Sequence, residues 1–191
     1  QFFCDVEWGE LDYLIFDLPP GTGDEPLSIA QLLPELDGVI IVTMPSELSS
    51  TIVKKSITFA ETLKMSPLGV LENMSGFVCP KCGEKTEIFR SGGGEKIAQQ
   101  AGVRFLGSIP IDPKVGVDSD EGTPFVLSHK DSAAAKAFME IVAKVQEQLK
   151  KLFPNHEVSN EPEIVEETPH ELFVQKEPMI CKYEKRKGKP T

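Results

Sequence analysis

Apolar residues along this chain fall in short continuous runs, not in strict alternation with polar ones. Four such runs stand out: Tyr13-Leu14-Ile15-Phe16, Gly38 to Met44 (GVIIVTM), Pro67 to Leu71, and Phe105 to Ile109, the last closed by Pro110. Runs of this kind predict strands covered on both faces, as in a parallel sheet. The intervening segments carry helical signals. A short helix over 25–33 stops near Pro34. Ser49 or Ser50 caps a helix through Leu63, with Ile52, Phe59 or Ala60, and Leu63 on one face. A third helix runs over 94–101 and ends at Gly102, and Asp131 or Ser132 caps a long amphipathic helix to about Leu152. Strand and helix alternating in this rhythm predict an α/β fold, a mainly parallel sheet flanked by helices.

Ligands of such sheets bind at the carboxyl ends of the strands. Each loop with chemistry in it follows a predicted strand: 17–24, 44–48, 73–82 and 110–118. That shared placement predicts one composite site. The first of these loops reads as a phosphate and magnesium site. Its strand ends at Asp17, whose carboxylate is placed to hold a magnesium-bound water, and Pro19-Pro20-Gly21-Thr22-Gly23 then breaks the strand. The Gly21 backbone N–H is free to meet a terminal phosphate. A tight βα turn without function is the competing reading. A G-x-x-x-x-G-K-[S/T] cradle occurs nowhere in these residues, and Gly92-Gly93-Gly94-Glu95-Lys96 lacks its hydroxyl residue and its preceding long strand. That glycine run reads as the freed start of a helix.

Cys79-Pro80-Lys81-Cys82-Gly83 is a tight knuckle that points two sulfurs at one metal. A closed zinc site or a four-iron cluster needs four ligands, and the knuckle supplies two. The other two cysteines of the chain, Cys4 and Cys181, stand near its ends. A zinc ribbon wants a second Cys-x-x-Cys about 15–20 residues on, and none follows. A thioredoxin-like pair wants the motif at the start of a helix, whereas residues 84–89 read as a short extended hairpin arm. The knuckle is therefore half a site, completed most simply by a second copy across a two-fold axis. The other titratable candidates carry less. His129, His156 and His170 show no ligand partners at suitable spacing, Lys54 and Lys55 read as the wet face of their helix, and Ser28 and Ser46 have no adjacent base.

With 191 residues the chain is long enough for one domain, expected over 1–152, plus a tail over 153–191. Residues 157–171 hold six Glu and no Lys or Arg, and basic residues gather at 182–189. The tail therefore reads as disordered by composition. A net charge of −10 speaks against nucleic-acid binding. No apolar run approaches the roughly 18 residues of a membrane span. Four cysteines and ordinary globular composition fit a cytoplasmic protein. The chain opens Gln1-Phe2-Phe3 without Met and runs almost at once into an apolar strand, so it reads as the later part of a larger domain.

Two stretches, Asp12-Tyr13-Leu14-Ile15-Phe16-Asp17-Leu18-Pro19-Pro20-Gly21-Thr22-Gly23-Asp24 and Glu72-Asn73-Met74-Ser75-Gly76-Phe77-Val78-Cys79-Pro80-Lys81-Cys82, closely resemble the Mrp/ApbC iron–sulfur cluster carriers. These are P-loop ATPases related to MinD and to the nitrogenase iron protein. Gly107 to Pro113 and Gly122-Thr123-Pro124 match later segments of that family in the right order, so the resemblance spans about residues 5–150.

The resemblance implies a homodimer with a bridging 4Fe-4S cluster held by Cys79 and Cys82 of each subunit, passed on to apo iron–sulfur proteins. It implies that Asp17 is the Walker B carboxylate, that Gly21 with Thr22 lies in a switch loop sensing the γ-phosphate of ATP, and that Asn73, Pro110 and Asp112 lie near the adenine. ATP and Mg2+ are the implied cofactors of the nucleotide site. The family's deviant Walker A loop, which precedes the Asp17 strand, is not among these residues. The expectation is accordingly that they bind ATP feebly or not at all and leave an unpaired apolar sheet edge. A zinc-bridged structural dimer with a vestigial nucleotide site is the alternative. A membrane-acting MinD-like ATPase would want a basic amphipathic C-terminal helix, and the proline-interrupted acidic tail does not offer one.

Overall fold

A computed structural model describes residues 6, 8, 9, 11–33, 36–79, 81–89 and 91–154. Beyond Pro154, the expected tail lies outside the described residues, as do Cys4, Cys181, His156 and His170. An α/β body begins at Asp17, and the described residues up to Phe16 belong to a separate unit.

Three of the four predicted strands form. They are β1 (Val39–Thr43), β2 (Pro67–Glu72) and β5 (Phe105–Ser108), hydrogen-bonded in the order β1-β2-β5 with both pairings parallel. Between them lie helix α2 (Glu47–Thr62), a small antiparallel hairpin of β3 (Phe77–Val78) and β4 (Lys85–Thr86), and helix α3 (Gly93–Ala101). Helix α1 (Asp24–Leu32) precedes β1, and α4 (Lys114–Asp120), α5 (Phe125–Ser128) and α6 (Ala133–Leu152) follow β5. Neither α4 nor α5 is foreseen by the apolar pattern, for their exposed apolar residues Val115, Val117 and Leu127 set up no buried stripe.

One side of the sheet is a continuous core. Ile41, Val70 and Phe105 from the three strands meet Val53 and Ile57 of α2 and Ile97 and Ala98 of α3. The buried face of α2 is thus Val53, Ile57 and Ala60, a stripe at i, i+4 and i+7. This corrects the expected register, since Ile52 is left half exposed. The cap is Ser46 in place of Ser49 or Ser50: its hydroxyl oxygen accepts the Ser49 N–H at 3.2 Å. Helix α6 begins as expected, with Ser132 Oγ accepting the Ala135 N–H.

Helix α6 packs on β5 and β2. Ile141 sits over Gly107, and Lys144 Nζ donates to the Leu106 carbonyl at 2.6 Å. Arg104, just before β5, donates to Gln148 at 3.0 Å and to Glu147 at 3.1 Å. Lys151 bonds the same carboxylate, and together these cations hold the Glu147 carboxyl below its usual range, Lys151 foremost.

Two expectations for the sheet are corrected. The GVIIVTM run is covered on one face only. Ile41 and Thr43 are buried, while Ile40 and Val42 on the other face are 41% and 58% exposed, because α6 covers the neighbouring strands and not β1. Residues 13–16 form no strand. No described sheet includes them, and Ile15 is 86% exposed. An apolar run becomes a strand only as part of a hydrogen-bonded ladder, and the two described sheets are built from other segments.

Candidate functional site

The carboxyl ends of β2 and β5 are knitted together by main-chain hydrogen bonds. Asn73 N–H donates to the Thr43 carbonyl at the end of β1 (2.7 Å), Ile109 N–H to Glu72 (2.8 Å), and Ser75 N–H to Ile109 (2.9 Å). One step further, Ile111 N–H donates to Gly76 at 2.7 Å, and Ile111 pairs with Phe77 in a parallel bridge. The chain turns sharply here, with Met74 at φ 57° and Gly76 at φ 74°. Asn73, Pro110 and Asp112 are thereby brought to one place, with the cysteine hairpin leaving from the same seam. Asn73 Oδ1 accepts the Met74 N–H, and Asp112 Oδ1 accepts the Lys114 N–H, where it opens α4. Pro110 is half-buried.

The hairpin carries Cys79 and Cys82 at its tip. Cys79 N–H donates to Glu84 and Gly83 N–H donates back to Cys79, with Gly83 at φ 73° closing the turn. Both thiols are free; Cys79 is half-buried and Cys82 exposed. The Cys79 thiol is held below its ordinary range, first by the backbone N–H of Cys82, then by that of Lys81, then by the Cys82 side chain. Among the described residues no three His, Cys, Asp or Glu side chains come together as a metal site. The hairpin therefore presents two soft donors.

Because the leading cause is a backbone N–H, the pH midpoint for alkylation of Cys79 in the metal-free chain should lie below that of an ordinary thiol, and should stay there in Cys82→Ala. Mass spectrometry of peptides labelled across a pH series reads this out. A Cys79 midpoint at the ordinary thiol value in Cys82→Ala would show that the side chain, not the backbone, sets it.

The predicted phosphate side is placed differently. Pro20, Gly21 and Thr22 line an open cleft of about 310 Å³ with Ile52 and Lys55 of α2. Gly21 sits at φ 110°, a backbone conformation that favours glycine. Asp17 is exposed and, contrary to expectation, follows no strand, so no ladder fixes its carboxylate. Asn73, Cys79, Cys82, Pro110 and Asp112 are not among the described residues lining this cleft.

Lys55, read as solvent-facing, is exposed as expected and also lines the open cleft. Two side chains at or near these loops, His129 and Glu72, were missed or misread from sequence. His129, read as unpartnered, has Nε2 3.4 Å from Asp118 Oδ2 and its ring against Phe125. Glu72, the last residue of β2, is wholly buried. Its carboxylate accepts hydrogen bonds from Ser75 Oγ (2.5 Å), Gly92 N–H (3.1 Å) and Gly94 N–H (2.6 Å). That also settles the Gly92-Gly93-Gly94 run: two of its N–H groups at the start of α3 are taken by the protein's own carboxylate.

A parallel sheet with helices on both sides, and with the candidate residues on loops around it, has the architecture of a doubly wound α/β fold. The ParA family model, described as NUBPL iron-transfer P-loop NTPase, matches residues 1–146. The chain is 56% identical over 145 residues to a protein of Saccharolobus solfataricus named iron-sulfur cluster carrier protein, covering 76% of this chain and 49% of the relative. A Methanocaldococcus jannaschii protein of the same name is 53% identical over 149 residues, 78% of this chain and 51% of that one. Among solved structures, a nucleotide-binding protein of Archaeoglobus fulgidus in complex with ADP superposes with TM-score 0.54 at 46% identity, over 60% of this chain and 47% of that one. The chain belongs to the NUBPL iron-transfer P-loop NTPase family. It spans about half the length of the curated relatives it matches.

Proposed function

We propose that this protein acts as an iron–sulfur cluster carrier, holding a 4Fe-4S cluster between two copies of the chain and handing it to apo iron–sulfur proteins. The observation that carries this reading is the hairpin: two free thiols on an exposed turn, one of them half-buried and held toward thiolate by backbone N–H groups, with no further ligands gathered beside them among the described residues. Two thiolates from each of two hairpins make the four ligands that such a cluster takes, and a two-fold axis supplies the second pair. The names of the relatives point the same way.

The nucleotide belongs to the same reading. Asn73, Pro110 and Asp112 at the seam fit the adenine side of an ATP site. Gly21 and Thr22, on the open cleft, and the exposed Asp17 are the residues proposed for its magnesium and γ-phosphate side. The reading places the carrier in the cytoplasm, where thiols stay reduced. It involves no nucleic acid, consistent with the net charge of −10. No helix among the described residues is long and apolar enough to cross a membrane.

Anaerobic reconstitution with iron and sulfide, followed by metal analysis and mass measurement in solution, tests the proposal. The expected product is an oxygen-sensitive species of two chains carrying one four-iron cluster. Zinc bound in its place, with no iron or sulfide retained, would turn the reading to a zinc-bridged structural dimer.

A further inference from the structure

The cysteine hairpin is an excursion that leaves the body after β2 and returns at α3. Glu72 ends β2, and Gly92 and Gly94 open α3, so one carboxylate touches both ends of the excursion. It holds the outgoing end as well, through Ser75 Oγ, whose own N–H is bound to Ile109. A wholly buried carboxylate is costly unless several donors satisfy it, and here Ser75 and Gly92 share Oε1 while Gly94 takes Oε2. The backbone is shaped for this contact. Gly92 sits at φ 79°, and a Cβ on Gly94 would lie 2.9 Å from Glu72 Cβ and 3.1 Å from Thr43 Cγ2. Only glycine at 94 lets the helix start come this close.

We propose that Glu72 is a positioning residue for the cysteine pair: its carboxylate clamps both ends of the 73–91 excursion and so fixes where Cys79 and Cys82 stand. The inference rests on the carrier reading above for what the cysteines hold, and on the hydrogen bonds alone for the clamp. Glu72→Gln preserves size and removes one acceptor. Whichever way the amide turns, its NH2 group faces a backbone N–H, that of Gly94 or that of Gly92, and one bond of the clamp is lost.

The test compares wild type, Glu72→Gln and Ser75→Ala as full chains. In the metal-free proteins, amide hydrogen exchange is read at Cys79, Gly83 and Ile111 against the core amides of α2 and α6. After anaerobic reconstitution, cluster loss to a chelator and the low-temperature spectrum of the reduced cluster are recorded. In Glu72→Gln the hairpin amides should exchange about tenfold faster or more, the scale of one lost bond to a charged group, with α2 and α6 unchanged. Cluster loss should accelerate to a similar degree with an altered spectrum. Ser75→Ala should show a smaller change of the same local kind, and it decides the matter if Glu72→Gln does not fold. Unchanged hairpin exchange, faster exchange everywhere, or faster hairpin exchange with wild-type cluster loss and spectrum would each overturn the proposal. A wild type that loads no cluster would sink the carrier reading and leave the clamp to the exchange measurement.

Discussion

Replacing Cys79 and Cys82 together by alanine should reduce iron and sulfide retained after anaerobic reconstitution to background, while the wild-type chain keeps about one cluster per two chains, the count that four thiolate ligands set. The hairpin itself should survive. Its closing bonds, Cys79 N–H to Glu84 and Gly83 N–H to Cys79, and the β3–β4 pairing are main-chain contacts that need no sulfur. Circular dichroism and thermal unfolding of the double variant should therefore match those of wild type. Iron and sulfide that persist in the variant would mean that ligands outside the hairpin hold the metal, and the carrier reading in its present form would fall.

Leu106→Ala is the largest stability loss expected from a single core change. Leu106 is fully buried on β5, lies against the bare backbone of Gly69, and has α6 packed over its strand. No side chain at 69 can move in to fill the space, so the cavity stays. The cost is about 3 kcal/mol, or a melting midpoint lowered by roughly 6–12 °C in a chain of this size. Ile15→Ala removes as large an aliphatic side chain from a position that is 86% exposed, and should change stability by no more than about 0.5 kcal/mol. Paired thermal melts check both. An Ile15 variant as damaging as the Leu106 one would show that the 13–16 run is packed in solution.

Those two leucine-class residues also show what the sequence could and could not carry. β1, β2 and β5 were legible because an uninterrupted apolar run bounded by turns admits little else, and α3 and α6 because Gly102 and Ser132 are strong stop and start signals. The 13–16 run has the same composition, yet a strand is a relation between two segments, and hydropathy in one says nothing of its neighbour. In α2 the expected stripe missed by one position. Isoleucines at 52 and 57 and valine at 53 look alike in a string, and only packing on Ile41 and Val70 decides which of them turn inward.

The candidate site divides in the same way. Cys79 and Cys82 announce themselves by spacing. The gathering of Asn73, Pro110 and Asp112 was expected from where their strands end. Glu72 gives no local sign, because its partners at 92 and 94 are about twenty residues away and read as an unrelated glycine run. His129 finds Asp118 only because α4 and α5 fold back on each other.

The seam between residues 72–77 and 109–111 consists of peptide groups bonding peptide groups. Such a joint is indifferent to side-chain identity, so its geometry can outlast extensive substitution at Ile109 and Ile111, provided their N–H groups remain. It also gives the two segments a common mechanical fate. Three successive bonds, from Ile109 to Glu72, from Ser75 to Ile109 and from Ile111 to Gly76, resist sliding as a short sheet does, and a displacement of 109–111 carries the base of the hairpin with it. With the β3–β4 turn acting as a lever beyond that base, a small tilt at Ile111 becomes a larger travel at Cys82, the exposed thiol at its tip.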